Sequence, residues 1–189
     1  AMSPRKRFFY NMNTCIGCGS CQVACKDSHN LLPDEYFRRA GMRSMRIGGE
    51  QRLVPFSISC NHCEHPACVA ACPTGAMRIT VDGLVLHDDG PCIGCGRCYW
   101  ACPYGEVSLS KTSGYAQKCD TCLALREKGL APACVAACPT ESLHFGEYPP
   151  GSGALPDLPF LPDPALTGPS LRIRKADVLR KENEDETVR

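Results

Sequence analysis

The chain has 189 residues, a formal net charge of +1 and 16 cysteines. That length suits one domain or two small ones. The charge offers no electrostatic case for binding nucleic acid, and no apolar run approaches the roughly 18 residues of a membrane-spanning helix. Leu, Ile, Val and Phe supply only 37 residues, just under the roughly 20% below which a packed core is doubtful. Cysteine is the component left to organise the fold.

In chain order, Ser3-Pro4-Arg5-Lys6-Arg7-Phe8-Phe9 faintly resembles a twin-arginine export signal. No apolar segment follows, so the chain is expected to carry no export address of its own. The first cysteine group is Cys15, Cys18, Cys21 and Cys25, spaced C-x2-C-x2-C-x3-C. Gly48-Gly49 reads as a turn and not as a nucleotide fingerprint. The second group, Cys60, Cys63, Cys68 and Cys72, ends in Pro73. Met77 to Leu86 is β-prone around Asp82-Gly83 and predicts a hairpin. The third group, Cys92, Cys95, Cys98 and Cys102, repeats the first group's spacing. A second hairpin is expected over 103–118, turning at Ser113-Gly114. The fourth group is Cys119, Cys122, Cys134 and Cys138. Residues 149–170 contain seven prolines and no period, which predicts an extended arm. Lys181 to Arg189 reads as a charged, mobile tail.

The chain also repeats itself. Pro66-Ala67-Cys68-Val69-Ala70-Ala71-Cys72-Pro73-Thr74 returns as residues 132–140, and Cys15-Ile16-Gly17-Cys18-Gly19 returns as residues 92–96. The proline-led segments read as short helices. Groups one and three are one type, groups two and four another. Duplication of a two-motif unit follows, with pseudo-twofold architecture.

Three chemistries compete for the cysteines. A disulfide framework suits short secreted domains, not this length without a signal peptide. Structural zinc needs two separated ligand pairs, and C-x2-C-x2-C overfills half of such a site. A [4Fe-4S] cube fits, because a tight loop wraps three corners and the fourth thiolate comes from elsewhere. C-x2-C-x2-C-x3-C-P is the bacterial ferredoxin run, whose last cysteine serves the neighbouring cluster of a pair. Four clusters would add about −8, taking the loaded protein to about −7. They would also replace the missing apolar core, so iron loss should largely unfold the chain. The expected fold is α+β: two interlocked bacterial-ferredoxin-like units with pseudo-twofold symmetry, short helices and β-hairpins around four cubane clusters, plus the arm. Residues 1–148 form the four-cluster domain, with 60–102 a contiguous unit inserted into the second, and 149–189 the arm and tail.

Ser57-Ile58-Ser59-Cys60-Asn61-His62-Cys63, Cys92-Ile93-Gly94-Cys95, Ala101-Cys102-Pro103-Tyr104-Gly105 and Lys118-Cys119-Asp120-x-Cys122 resemble the four-cluster ferredoxin subunits of molybdopterin-containing membrane reductases. Within that family the resemblance is to the iron–sulfur subunits of anaerobic dimethyl sulfoxide reductases, over about residues 7–148. The resemblance implies swapped ligands. Cluster one takes Cys15, Cys18, Cys21 and Cys138, and cluster two takes Cys25, Cys119, Cys122 and Cys134. Cluster three takes Cys60, Cys63, Cys68 and Cys102, and cluster four takes Cys72, Cys92, Cys95 and Cys98. It further implies a molybdopterin catalytic partner, a membrane anchor in many relatives, and single-electron relay with no catalysis by this chain. The expected location is peripheral at the cytoplasmic membrane, on the external face by co-export in preference to the cytoplasmic one. The rival readings are a soluble polyferredoxin of a cytoplasmic formate- or hydrogen-linked complex and a zinc-stabilised scaffold.

Outside the ligands, His62 and His65 are expected to hydrogen-bond within their loop, and Trp100 to shield a cluster from water. Lys26 is either a charge beside cluster two or a surface lysine. Arg97 and Lys118 are either charges that raise a cluster's potential or solvated surface. Folding is expected to need only residues before 139. The arm is expected to cross a partner, anchored by Leu155, Leu158, Phe160 and Leu161.

Overall fold

The computed structural model describes residues 5–147 and 156–179. The chain starts in strand β1 (Lys6–Asn11), and helix α1 (Ser20–Ser28) carries the end of the first cysteine group. A long hairpin follows, β2 (Arg38–Ile47) with β3 (Glu50–Ser59), turning through Gly48 and Gly49, both at positive φ. Their antiparallel register runs from Arg38↔Ser59 to Ile47↔Glu50. The turn is the one expected, but the two ten-residue strands were not.

The repeated segments fold alike, as α2 (Ala67–Ala70) and α5 (Ala133–Ala136). The proline before each supplies no N–H where a helix has none to use, and the proline after the last cysteine stops it. Strands β4 (Met77–Ile79) and β5 (Val85–His87) form the first expected hairpin, and α3 (Arg97–Ala101) the end of the third group. Strands β6 (Ser108–Leu109) and β7 (Ala116–Gln117) form the second hairpin, with Gly114 at φ +75° in the turn. After α4 (Leu123–Arg126) and α5, strand β8 (Leu143–Glu147) pairs antiparallel with β1.

The C-terminal segment departs most from expectation. Strand β9 (Arg172–Arg174) lies on the other side of β1, parallel to it, with Tyr10↔Ile173 in register. The sheet order is therefore β8-β1-β9. Leu158, Leu171, Ile173 and Leu179 are buried in the main core with Phe8, Tyr10, Met12, Phe37, Val54 and Leu143. The strap expected to cross a partner crosses its own chain over residues 156–179, because these apolar side chains find the otherwise open edge of β1. Folding thus draws on residues beyond 139. The expected boundary at 148/149, Leu155 and the tail from Lys181 lie outside the described residues. A smaller core of Met77, Val85, Val107 and Ala116 sits around the second and third groups. No helix among the described residues is long and apolar enough to cross a membrane.

Candidate metal centres

The four sequence groups exchange members in space. Cys15, Cys18 and Cys21 line one cavity with Cys138, here quartet one. Cys60, Cys63 and Cys68 line another with Cys102, quartet three. Cys92, Cys95 and Cys98 line a third with Cys72, quartet four. Cys25, Cys119, Cys122 and Cys134 are all buried. Cys119 and Cys134 each interact electrostatically with Cys25, and Cys134 also with Cys122; these four are quartet two. None of the sixteen cysteines is in a disulfide.

Local backbone shape aims polar groups at the sulfurs. In the Cys-Ile-Gly-Cys-Gly loops, Gly17 and Gly19 have φ of +66° and +78°, Gly94 and Gly96 of +65° and +71°. Alternating left-handed residues turn successive N–H groups to one side, a concavity suited to anions and iron–sulfur sites. A side chain on Gly17 would collide with the Met42 sulfur, and a Cβ on Gly94 would meet the Gly114 carbonyl oxygen at 3.0 Å. Glycine is required at both. After each Cys-Pro step the chain turns back, so that a backbone N–H donates to the sulfur just passed. Met77 N–H reaches Cys72 Sγ at 3.5 Å, Glu106 N–H reaches Cys102 at 3.5 Å and Ser142 N–H reaches Cys138 at 3.2 Å.

Burial sets the thiol chemistry. Desolvation raises the pKa of Cys119 and Cys134, pushes Cys63 up to about 11 and Cys68 to about 12. At Cys72 and Cys138 burial also raises the pKa, but the turn's N–H donors outweigh it and the net shift is downward. Four thiolates in one small cavity are stable only beside a multivalent cation, which displaces the protons as it binds. The donor set, all sulfur and four to a cavity, fits an iron–sulfur cube.

Two buried cations lie between quartets. Arg38 is 1% exposed, and its Nη atoms donate to Ser57 Oγ and Ser59 Oγ, each at 3.0 Å. Its guanidinium carbon is 4.8 Å from the Phe8 ring centre. Burial opposes the charge, but Cys134, Cys119, Cys21 and Cys25 outweigh it and raise the pKa. Its Nε has no hydrogen-bond partner among the described residues, and a buried donor of that kind suits a bound acceptor. Lys118 is also buried, donating to the Val85 and Cys119 carbonyls. It acts on Cys60 and Cys68 of quartet three and on Cys119 of quartet two. It is therefore not solvated surface. Arg97 is exposed.

Three expectations need correction. Lys26 is at the surface, as one of the two expectations had it, but it is not free. Its ammonium donates to the Leu32, Pro33 and Glu35 carbonyls at 2.7, 3.0 and 2.7 Å and lies over the Tyr36 ring, fastening a loop. Trp100 is 83% exposed and shields nothing. It packs edge-on against Tyr99 at the wall of an open groove that Tyr36 and Leu109 also line. His62 bonds beyond its own loop, since its Nδ1 accepts the Val85 N–H at 3.1 Å, while His65 is exposed.

Sequence reasoning passed over Arg38, His29 and Thr167, and it quoted Ser57 and Ser59 in a motif without giving either a role. His29 closes quartet two from the end of α1: its Nε2 meets Asp120 Oδ1 at 3.0 Å and its Nδ1 meets the Cys25 carbonyl at 2.9 Å. Asp120 in turn accepts the Cys122 and Leu123 N–H groups. His29, Asp120 and Cys122 bring a ligand atom each within 4.8 Å of one another, but the Asp120–His29 bond and the loop around Cys122 account for that grouping.

Quartets of converging cysteines carried by short helices and the loops beside them define an iron–sulfur protein of the ferredoxin type. Two 4Fe-4S dicluster domains match the chain, over residues 14–76 and 52–148. Two dicluster domains hold four [4Fe-4S] clusters, and sixteen cysteines supply four thiolates to each. The B subunit of the anaerobic dimethyl sulfoxide reductase of Escherichia coli is 40% identical, over 92% of this chain and 90% of its own length. The thiosulfate reductase electron transfer subunit of Salmonella typhi is 40% identical over 70% of each protein. The formate dehydrogenase iron–sulfur subunit of Wolinella succinogenes is 32% identical over 76% of this chain and 82% of its own length. The chain belongs to this family, the non-catalytic iron–sulfur electron-transfer subunits of oxidoreductase complexes.

Proposed function

We propose that the chain is a four-step electron relay between a molybdopterin catalytic subunit and a quinol-linked membrane anchor. Each quartet would hold one [4Fe-4S] cluster, in two interlocked ferredoxin-like units related by a pseudo-twofold. The clusters would supply one-electron storage at four places. The residues set the order. Helix α1 carries Cys21 of quartet one and Cys25 of quartet two. Cys119 of quartet two interacts with Cys60 of quartet three. Helix α2 and its exit carry Cys68 of quartet three and Cys72 of quartet four.

The observation that carries this reading is which thiols reach solvent. Cys18 and Cys95 are the exposed cysteines, and they belong to quartets one and four, the two ends of that order. None of the cysteines of the interior quartets is exposed: all four of quartet two are buried, and those of quartet three are buried or partly buried. Such an arrangement admits electrons at one end and releases them at the other.

The motif resemblance supports the molybdopterin partner and the external face by co-export. The 32% identity to a formate dehydrogenase iron–sulfur subunit supports a second reading, a relay for a formate-linked complex, here taken as soluble and cytoplasmic. Anaerobic pulldown of the tagged chain from its native host, with pterin fluorescence and mass spectrometry, separates them. A pterin-bearing catalytic subunit with a hydrophobic anchor supports the first. A soluble dehydrogenase without an anchor supports the second. Recovery of the chain alone, with no oxidoreductase, sinks both.

A further inference from the structure

Quartet three receives a donor from the far end of the chain. Thr167 follows a 3-10 turn at Pro164–Leu166 and is 3% exposed, in the wall of the cavity that Cys60, Cys63, Cys68 and Cys102 line. Its Oγ1 donates to Cys63 Sγ at 3.2 Å and lies 3.4 Å from the Tyr104 hydroxyl. The same hydroxyl is also in donor geometry toward the Tyr104 oxygen, but it has one proton to give, and the shorter contact is the one to the sulfur.

The position of this hydroxyl is held from both sides. His65 N–H donates to the Thr167 carbonyl at 2.9 Å and Glu64 N–H to the Gly168 carbonyl at 2.8 Å. Ser170 donates through its N–H to the Asn61 carbonyl at 2.9 Å and through its Oγ to the His62 carbonyl at 2.8 Å. From the other end of the chain, Arg5 Nη2 donates to the His62 and Cys63 carbonyls, and its Nε to Ser170 Oγ at 2.6 Å. The Cys60–Cys63 loop is therefore clamped between the two ends of the protein. Other hydroxyls near ligand sulfurs come mostly from the same loop: Ser20 at Cys18, Thr74 at Cys72, Thr140 at Cys138, each two residues away and at 3.3 Å or more. Thr167 is 104 residues from its sulfur.

We propose that Thr167 is a positioning residue for quartet three, whose hydroxyl, fixed by the C-terminal strap, donates to the Cys63 thiolate and raises the reduction potential of the cluster held there. The inference rests on the reading that quartet three binds an iron–sulfur cluster. A donor to a ligand sulfur withdraws part of its charge, and the reduced cluster, one electron more negative, gains more from it than the oxidised one. The strap thereby sets the energy of an interior step of the relay, in a place where no partner has to bind.

The test uses the full chain with Thr167→Val and Thr167→Ser, purified anaerobically, assayed for iron and titrated with dithionite under paramagnetic resonance. Expected is full iron in both. Thr167→Val should lower one of four midpoints by about tenfold in the one-electron equilibrium constant, 59 mV. Thr167→Ser, which keeps the hydroxyl, should restore it. Full iron with four unchanged midpoints in Thr167→Val overturns the proposal. So does loss of one cluster, or a shift that Thr167→Ser fails to restore, either of which makes Thr167 a packing residue only. A wild-type chain without iron would instead defeat the reading beneath it.

Discussion

Cys21 and Cys25 stand one helical turn apart on α1 and belong to different quartets, Cys21 with Cys138 and Cys25 with Cys119, Cys122 and Cys134. Residues four apart on a helix are neighbours on its surface, so one short helix places two sulfurs between two cavities. Helix α5 and the turn after it do the same from the other side, with Cys134 on the helix and Cys138 two residues beyond its end. The exchange of members between sequence groups follows from two short helices, of nine and four residues, packed against each other.

Substitution should therefore act at a distance in sequence. Cys138→Ser is expected to perturb the cluster of Cys15, Cys18 and Cys21, and Cys25→Ser the cluster of Cys119, Cys122 and Cys134. Paramagnetic resonance of the reduced variants checks this. A Cys138→Ser change confined to signals that Cys119→Ser also alters would contradict it.

Arg38 should matter for both of the quartets it faces. Arg38→Met removes a buried cation whose Nε is left for a bound acceptor. Midpoints of the clusters in quartets one and two should fall relative to those in three and four, with Arg38→Lys intermediate. The loaded fold should lose about 3–5 kcal/mol, the cost of leaving buried charge uncompensated. Redox titration and urea denaturation under argon measure the two effects.

The cysteine spacing made the chemistry legible, and the glycine and proline signals made the two short hairpins and the repeated helices legible. The β2–β3 hairpin was not, for a physical reason. In Ser57-Ile58-Ser59 both serines are buried while Ile58 is half-exposed. The alternation reads inside out, because the inner face serves Arg38 and the sulfurs and not an apolar core. Likewise, the prolines of the C-terminal segment signal an extended chain, but nothing local says what it lies against. Leu158, Leu171 and Ile173 find β1 only in three dimensions. Trp100 misled because its place between Cys98 and Cys102 suggests an aromatic that covers a cluster, whereas the side chain points to solvent.

Strand β9 should contribute heavily to stability. Ile173 is 1% exposed and in register with Tyr10, so Ile173→Ala should cost about 2–5 kcal/mol. Truncation after residue 147 removes β9, Thr167 and Ser170 together and should lower iron content as well. Thermal denaturation followed by cluster absorbance is the check, and a truncated chain with unchanged iron and stability would count against the strap's role.

The His29–Asp120 pair gives the fold a defined pH dependence. The bond to Asp120 foremost, then those to Cys122 and Cys25, push His29 up to about 12 from 6.5. Burial raises Asp120, but His29 and two backbone N–H groups bring it down to about 2. A raised histidine stabilises the fold fully below pH 6.5 and progressively less as pH rises toward 12; the depressed aspartate does so above 3.8 and loses it toward 2. The stability difference between wild type and His29→Gln, measured by urea denaturation, should therefore shrink from pH 7 to pH 10. A difference that grows over that range would refute the pair's protonated state.

If four quartets of thiolates hold four [4Fe-4S] clusters, metal and sulfide analysis of the anaerobically purified chain should find about 16 iron and about 16 acid-labile sulfide per chain, with visible absorbance that dithionite bleaches. About four zinc per chain, with little iron and no sulfide, would contradict it.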